Sequence, residues 1–267
     1  MPQAKRLTTR WIATLAALAL LAGCGFLPRP STVPLRVLSD NALCASRPDT
    51  LLVMLPGASS LPEEFQREGF VHALRERRLA VDVVLVDAHP GYYKDRTILD
   101  RLQADVIVPA RAKGYRKIWL VGVSLGGLGA LIQARAQPAD TDGLMLLAPY
   151  LGEPRVTDAV RADGGLKAWR GAVPDPVPDD LDLRLWQWLQ AYATEPAQRP
   201  PLVLGYAIGD RLAPANQLLA ASLPADRVFT TAGGHDWPEW RRLWKQMLER
   251  ADFPVDPTCT GPTANGS

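Results

Sequence analysis

Lys117-Ile118-Trp119-Leu120-Val121-Gly122-Val123-Ser124-Leu125-Gly126-Gly127 is the stretch that decides the fold. It opens with an apolar run, 117–123, of the kind a strand buried on both faces requires. It closes on G-x-S-x-G, and residues 125–136 read as a helix. Strand, sharp turn and helix form the context in which this spacing carries chemistry. The turn forces Ser124 into a strained backbone conformation, and Gly122 and Gly126 lack the Cβ atoms that would hold neighbouring segments away. The hydroxyl is presented at the carboxyl end of the strand. The Leu125 amide points into the same space from a helix start, where N–H groups lack partners and favour negative charge. One turn thus supplies a nucleophile and half of an oxyanion hole. The plainer reading is a glycine-rich turn with Ser124 capping the helix.

The same alternation extends outward in both directions. Strands are predicted at 50–55 and 81–86, and helices at 62–79 and 97–113, with Pro109 marking a kink or early end. Downstream come strand 143–147, strand 202–208, helix 213–223, strand 227–231 and helix 238–250. Strands separated by helices imply an α/β fold, a mostly parallel central sheet with helices on both faces. Between 149 and 200 the rhythm breaks. This insertion holds Pro154, Pro174, Pro176, Pro178 and Pro196, and one helical patch at 182–192. Leu181, Leu185, Trp188, Leu189 and Tyr192 share a helical face there, and Trp169 and Trp186 lie nearby. They read either as a lid over an apolar acyl pocket or as a helix packed on the sheet. Trp237, Trp240 and Trp244 space along the last helix and read as core. The tail after Phe253 reads as loosely held.

A serine hydroxyl needs a base, and the base needs an orienting acid. The chain has three histidines. His72 falls inside a helix. His89 and His235 both follow strands, where catalytic groups gather in an open α/β sheet. His235 sits in Gly233-Gly234-His235-Asp236, whose glycines leave the loop free to reach inward. Asp210 follows the preceding strand and a glycine, and it can accept from His235 Nδ1. An N-cap is its plainer role, and Asp236 is the rival acid. The loop Leu55-Pro56-Gly57-Ala58-Ser59-Ser60 follows the first strand of the series. Its Ala58 amide is the candidate second oxyanion donor, since Pro56 has no N–H.

These residues, in the order serine, acid, histidine, resemble the α/β-hydrolase superfamily over 50–253, with 149–200 as its cap insertion. That order selects His235 over His89. The chain carries Leu-Pro-Gly where many relatives carry His-Gly, which keeps the backbone donor and removes a side chain that could shape the site. The resemblance implies a serine hydrolase acting on ester bonds. Ser124 would attack a carbonyl, His235 relay the proton, Asp210 steady the imidazole, and the Leu125 and Ala58 amides hold the oxyanion. A thioesterase or acyltransferase on the same triad is the neighbouring expectation, and a catalytically silent binding lipoprotein the distant one. The histidines form no metal-binding spacing, no nucleotide fingerprint is present, and no cofactor is expected.

The 267 residues are 47% hydrophobic and 22% charged, which excludes a disordered chain and a polytopic membrane protein. The formal charge is +2. Lys5, Arg6 and Arg10 lie in the first 23 residues, which hold no acid, so removing them leaves −1. That balance gives no reason to expect nucleic acid as a partner. Residues 11–22 are an apolar run of 12 residues after this basic start. The run is too short to span a bilayer and fits a secretory signal. Leu21-Ala22-Gly23-Cys24 resembles the lipobox of bacterial lipoproteins. It implies cleavage before Cys24, its acylation, and a lipid anchor in the cell envelope facing the periplasm. Gly25 in place of an aspartate implies the outer membrane. On this reading 24–43 is a tether, and Pro28, Pro30 and Pro34 make 26–35 semi-extended. The domain proper then occupies 44–267. Cys44 and Cys259 are a candidate disulfide in an exported chain.

Overall fold

The computed structural model describes residues 29–250 and 252–259. Those from Ser31 onward belong to one compact unit. In chain order the elements are β1 (Val37–Asp40), β2 (Thr50–Leu55), α1 (Glu63–Arg67), α2 (Phe70–Glu76), β3 (Val81–Val86), α3 (Pro90–Lys94) and α4 (Ile98–Leu102). A π turn (Gln103–Ile107) leads into α5 (Val108–Ala112), followed by β4 (Lys117–Val123), α6 (Leu125–Ala136), β5 (Gly143–Leu147), α7 (Pro154–Ala162), α8 (Leu181–Leu189) and α9 (Ala191–Thr194). The chain then forms β6 (Leu202–Ala207), α10 (Ala213–Ala220), β7 (Val228–Thr231) and α11 (Trp237–Leu248).

The seven strands lie in the order β1-β3-β2-β4-β5-β6-β7. β1 runs antiparallel to β3, and every other neighbouring pair is parallel. β2 through β6 are almost wholly buried because helices cover both faces, which is why their sequences are continuous apolar runs. Side chains alternate between the layers. Leu51, Val53 and Leu55 join the core beneath α4, α6, α8 and α10, with Leu102, Leu131, Trp186 and Leu219. Leu52 and Met54 join the core beneath α1, α2 and α11, with Phe65, Phe70, Leu74 and Trp244.

Several elements depart from the sequence expectation. The helix expected over 62–79 is two, broken at Gly69, which sits in the left-handed region at φ 78°. The helix expected over 97–113 does not end at Pro109. The π turn just before it takes up the mismatch that a proline creates with the carbonyl four residues earlier. Most of the stretch 24–43, expected as a tether, does not stand apart from the domain. From Ser31 on the chain is part of the domain, Leu35 is buried, and β1 pairs along the edge of β3. Residues 254–259 of the tail, expected to be loosely held, are bonded to the domain. Ala80 N donates to Pro254 O at 2.8 Å and Asp256 N to Arg78 O at 3.0 Å. Cys259 is disulfide-bonded to Cys44.

The insertion after β5 contributes α7, α8 and α9 to the helix layer between β5 and β6. The buried side of α8 is Leu185, Trp186 and Leu189, continued by Tyr192. Trp186 is fully buried and donates from Nε1 to Leu151 O at 2.7 Å. Trp188, expected on that side, is half-buried and lies edge-on to Tyr192 and beneath the Arg199 guanidinium. The aromatic face therefore packs into the core shared with α6. Among the described residues no helix is long and apolar enough to cross a membrane.

Candidate active site

Ser124 stands alone between β4 and α6 at φ 53°, ψ −114°. A non-glycine residue there costs on the order of 1–3 kcal/mol and persists only where its surroundings fix it. Three backbone bonds do so. Ser124 N donates to Leu147 O at 2.9 Å, and Ser124 O accepts from Gly127 N and Tyr150 N, each at 2.9 Å. Space is the second constraint. A Cβ on Gly122 would lie 2.4 Å from Gly126 O, and one on Gly126 would lie 2.1 Å from Leu55 O. The strand before the serine, the helix after it and the loop following β2 are pressed together.

His235 Nε2 lies 2.8 Å from Ser124 Oγ, and His235 Nδ1 lies 2.5 Å from Asp210 Oδ2. The Asp210 side chain is fully buried, and its other oxygen accepts from Leu212 N at 2.8 Å. It thus orients the imidazole and fixes the turn into α10 at once. A proton on Nδ1, facing the carboxylate, leaves Nε2 to accept from the serine hydroxyl. The loops after β6 and β7 are packed to bring this about. A Cβ on Gly209 would lie 2.7 Å from Gly233 O. Asp236, the rival acid, caps α11 instead, accepting from Glu239 N at 3.2 Å.

Two helix α11 residues belong to the site although the sequence reading placed neither there. The Trp240 ring stands 5.0 Å from the His235 ring and nearly perpendicular to it. Glu239 is buried against Gly233 and paired with Arg242. Their positions, four and five residues past the histidine on a capped helix, were the available signal.

The loop after β2 runs against the nucleophile, and a Cβ on Gly57 would lie 3.6 Å from Ser124 Cβ. Ser60 N donates to Gly57 O at 3.1 Å, which curls the loop around Ala58. Among the described residues, neither the Ala58 nor the Leu125 amide donates to a protein acceptor. For Leu125 this follows from its place at the head of α6.

A model of the alpha/beta hydrolase family matches residues 52–261. The chain belongs to the alpha/beta hydrolase family. Solved structures of low sequence identity share the fold. The S-formylglutathione hydrolase of Agrobacterium tumefaciens is 13% identical with a TM-score of 0.53, over 84% of this chain and 92% of that one. The S-formylglutathione hydrolase of Staphylococcus aureus is 15% identical with a TM-score of 0.52, over 84% and 98%. Est1E from Butyrivibrio proteoclasticus is 17% identical with a TM-score of 0.51, over 84% and 97%. No curated protein matches the chain by sequence.

The other histidines of this alpha/beta hydrolase are engaged by other partners. His72 is exposed and pairs with Glu76 at 3.0 Å. His89 is buried and caps α3, its Nδ1 accepting from Gly91 N at 3.2 Å. Cys24 and the rest of the lipobox lie outside the described residues. Among the described residues, the only close group of three potential metal-ligand side chains is Cys44, Asp256 and Cys259, and its two sulfurs are bonded to each other.

A groove of about 460 Å³ adjoins the carboxyl rim of this hydrolase fold, between residues 150–161 on one side and 211–215 on the other. Tyr150 OH donates to Glu153 Oε1 at 2.5 Å, and burial, then this bond, pushes the phenol well above its ordinary range. Behind it, burial also raises the Asp182 carboxyl. A second cavity of about 460 Å³ lies near the amino ends of β2 to β4, lined by Ala42, Cys44, Asp82 and Tyr115 among others, away from Ser124.

Proposed function

We propose that this chain is a serine hydrolase that cleaves carboxylic ester bonds through an acyl-enzyme on Ser124. The observation that carries the reading is the continuous hydrogen-bonded run from Ser124 Oγ through His235 to the buried Asp210, mounted on a strained turn. Ser124 Oγ attacks the ester carbonyl carbon while its proton passes to His235 Nε2. Negative charge gathers on the carbonyl oxygen, where the Leu125 and Ala58 amides receive it. The imidazolium is steadied by Asp210. The carbon–oxygen bond to the alcohol then breaks, and the alcohol leaves with the proton from His235. Water repeats the sequence on the acyl-serine, His235 taking its proton, and releases the acid with Ser124 restored.

The test uses the folded chain. A fluorophosphonate probe should label Ser124, and short p-nitrophenyl esters should be turned over by the wild type and not by Ser124→Ala. Absence of both labelling and turnover would remove the enzymatic reading and leave the silent binding lipoprotein. Two fold neighbours are named S-formylglutathione hydrolases, so thioesters belong in the panel, and competing alcohols separate transfer from hydrolysis.

The same proposal places the enzyme in the bacterial cell envelope, anchored by acylated Cys24 and facing the periplasm, with the outer membrane favoured. The signal-like N-terminus and Leu21-Ala22-Gly23-Cys24 support it. So does the Cys44–Cys259 bond, since paired thiols persist in oxidising compartments. Labelled palmitate should enter the wild type and not Cys24→Ser. Equal incorporation would refute the anchor.

A further inference from the structure

The loop that carries His235 runs from Thr231, the last residue of β7, to Asp236, the cap of α11. Among the described residues, Gly233, Gly234 and His235 enter no backbone–backbone hydrogen bond. Two glycines in a row give the backbone many alternatives to the conformation it adopts. Yet His235 meets a serine hydroxyl and a carboxylate at the same time. A misplacement of about 1 Å in such an arrangement costs roughly 10²-fold in rate. Side chains therefore have to fix this loop.

On one side the loop leans on the turn before Asp210, where a Cβ on Gly209 would lie 2.7 Å from Gly233 O. On the other side it meets Glu239. A Cβ on Gly233 would lie 2.4 Å from Glu239 Oε1, 2.5 Å from its Cδ and 2.6 Å from its Cγ. The glycine Cα thus rests directly on the carboxylate. Glu239 is buried, and Arg242 pairs with it from one turn further along the helix. The Thr231 hydroxyl, then Arg242 and the Gly233 amide, hold its carboxyl below the usual range against the effect of burial. One carboxylate therefore faces both the strand end that enters the loop and the glycine within it. Its platform is fixed. Asp236 caps α11 by accepting from Glu239 N at 3.2 Å. Trp237 lies edge-on to Phe65 and Phe70, and its Nε1 donates to Glu64 Oε2 at 3.2 Å. Trp240, the next residue on the helix, stands against the His235 ring. A glutamate three residues past the cap is placed to reach back over the helix start.

We propose that Glu239 is a positioning residue for the reaction. Its carboxylate props the backbone at Gly233 and so sets His235 between Ser124 and Asp210. The proposal rests on the ester-hydrolase reading and deepens it. Glu239 acts through the loop, and among the described residues it makes no hydrogen bond or ion pair with Ser124, His235 or Asp210. The contact needs reach more than charge. Glutamine keeps the length and an accepting oxygen, aspartate keeps the charge and falls one methylene short, and alanine removes the prop.

The experiment measures kcat and KM for p-nitrophenyl butyrate beside Tm. Glu239→Ala should lower kcat by roughly 10–10²-fold and leave KM within about threefold of wild type. Glu239→Gln should stay within about fivefold of wild type, and Glu239→Asp should resemble Glu239→Ala despite its charge. Gly233→Ala disturbs the same contact from the other side and should lose kcat comparably. The double variant should fall no further than Glu239→Ala, because both changes act on one contact. In a His235→Ala background, Glu239→Ala should leave the residual turnover unchanged within about twofold, since the residue it positions is gone. The last two readouts would not separate in this way for a residue that only stabilises the fold. The positioning role is overturned if folded Glu239→Ala keeps kcat within threefold of wild type, or if the losses multiply in the double variant. An undiminished effect of Glu239→Ala without His235 overturns it as well. Should Glu239→Ala not fold, the order of Glu239→Gln over Glu239→Asp decides, and equal kcat in those two rejects the role. If the wild type turns over no ester and Ser124 takes no fluorophosphonate, the ester-hydrolase reading itself fails. Wild-type turnover with kcat intact in Glu239→Ala rejects the positioning role alone.

Discussion

Gly126→Ala tests the packing on which the proposed mechanism depends. The added methyl would lie 2.1 Å from Leu55 O, 2.5 Å from Leu55 C and 2.6 Å from Pro56 O. These are backbone atoms, so no side chain can rotate away, and the shortfall against an ordinary carbon–oxygen contact is about 1 Å. Either α6 withdraws and carries the Leu125 amide with it, or the loop after β2 withdraws and carries the Ala58 amide. A displacement of about 1 Å in reacting geometry costs roughly 10²-fold, and loss of one oxyanion donor roughly 10²–10³-fold. We expect kcat for a p-nitrophenyl ester to fall by roughly 10²-fold, with KM changed far less. Overpacking should also cost about 1–3 kcal/mol of stability, leaving a folded protein of lower Tm. Gly57→Ala is the comparison, because its methyl would meet nothing closer than 3.6 Å. It should lose less than about tenfold. The reasoning is refuted if Gly126→Ala keeps kcat within threefold of wild type at unchanged Tm, or if Gly57→Ala is equally damaging.

The two aspartates near His235 should separate cleanly. Asp210→Asn should cost roughly 10³–10⁴ in kcat by fixing the wrong tautomer, whereas Asp236→Ala should cost about 1 kcal/mol of stability as a lost cap and less than tenfold in kcat. Reducing the Cys44–Cys259 bond, which closes a span of 215 residues, should lower unfolding free energy by up to about 5 kcal/mol, measured in urea with and without reductant. Trp186→Ala should destabilise by about 3–5 kcal/mol while the folded fraction keeps its kcat, because this ring is core and not lid; a large loss of kcat at full folding would argue the reverse. Burial raises the Asp182 carboxyl, so stability it contributes while protonated is lost as pH rises through its folded pKa. Asp182→Asn should therefore raise Tm at pH 8 relative to wild type, with the gain disappearing near pH 3.

The site was legible where local sequence and global geometry say the same thing. Gly122, Ser124 and Gly126 define the turn within a few residues. Asp210 and His235 were legible as candidates because each follows a strand, and parallel strands end at one rim. Distance along the chain did not matter once β4, β6 and β7 were recognised. The illegible parts depend on contacts that no local pattern encodes. β1 is four residues long and half-exposed, and it becomes a strand by pairing with the edge of β3. Residues 254–259 are polar and proline-rich, and they are held by Arg78, Ala80 and a distant cysteine.

Trp186 and Trp188 show why the insertion was harder to read than the sheet. Both are apolar, two residues apart on one short helix, so an i to i+4 pattern can be drawn through either. What separates them is the side on which α6 lies, and that is set by the crossover from β5 to β6. The same crossover leaves Tyr150 and the start of α7 at the rim beside Ser124, facing Arg211 at the turn into α10. A change of length between Pro149 and Pro154 should reshape this rim, while the Ser124–His235–Asp210 run, anchored on β4, β6 and β7, keeps its spacing.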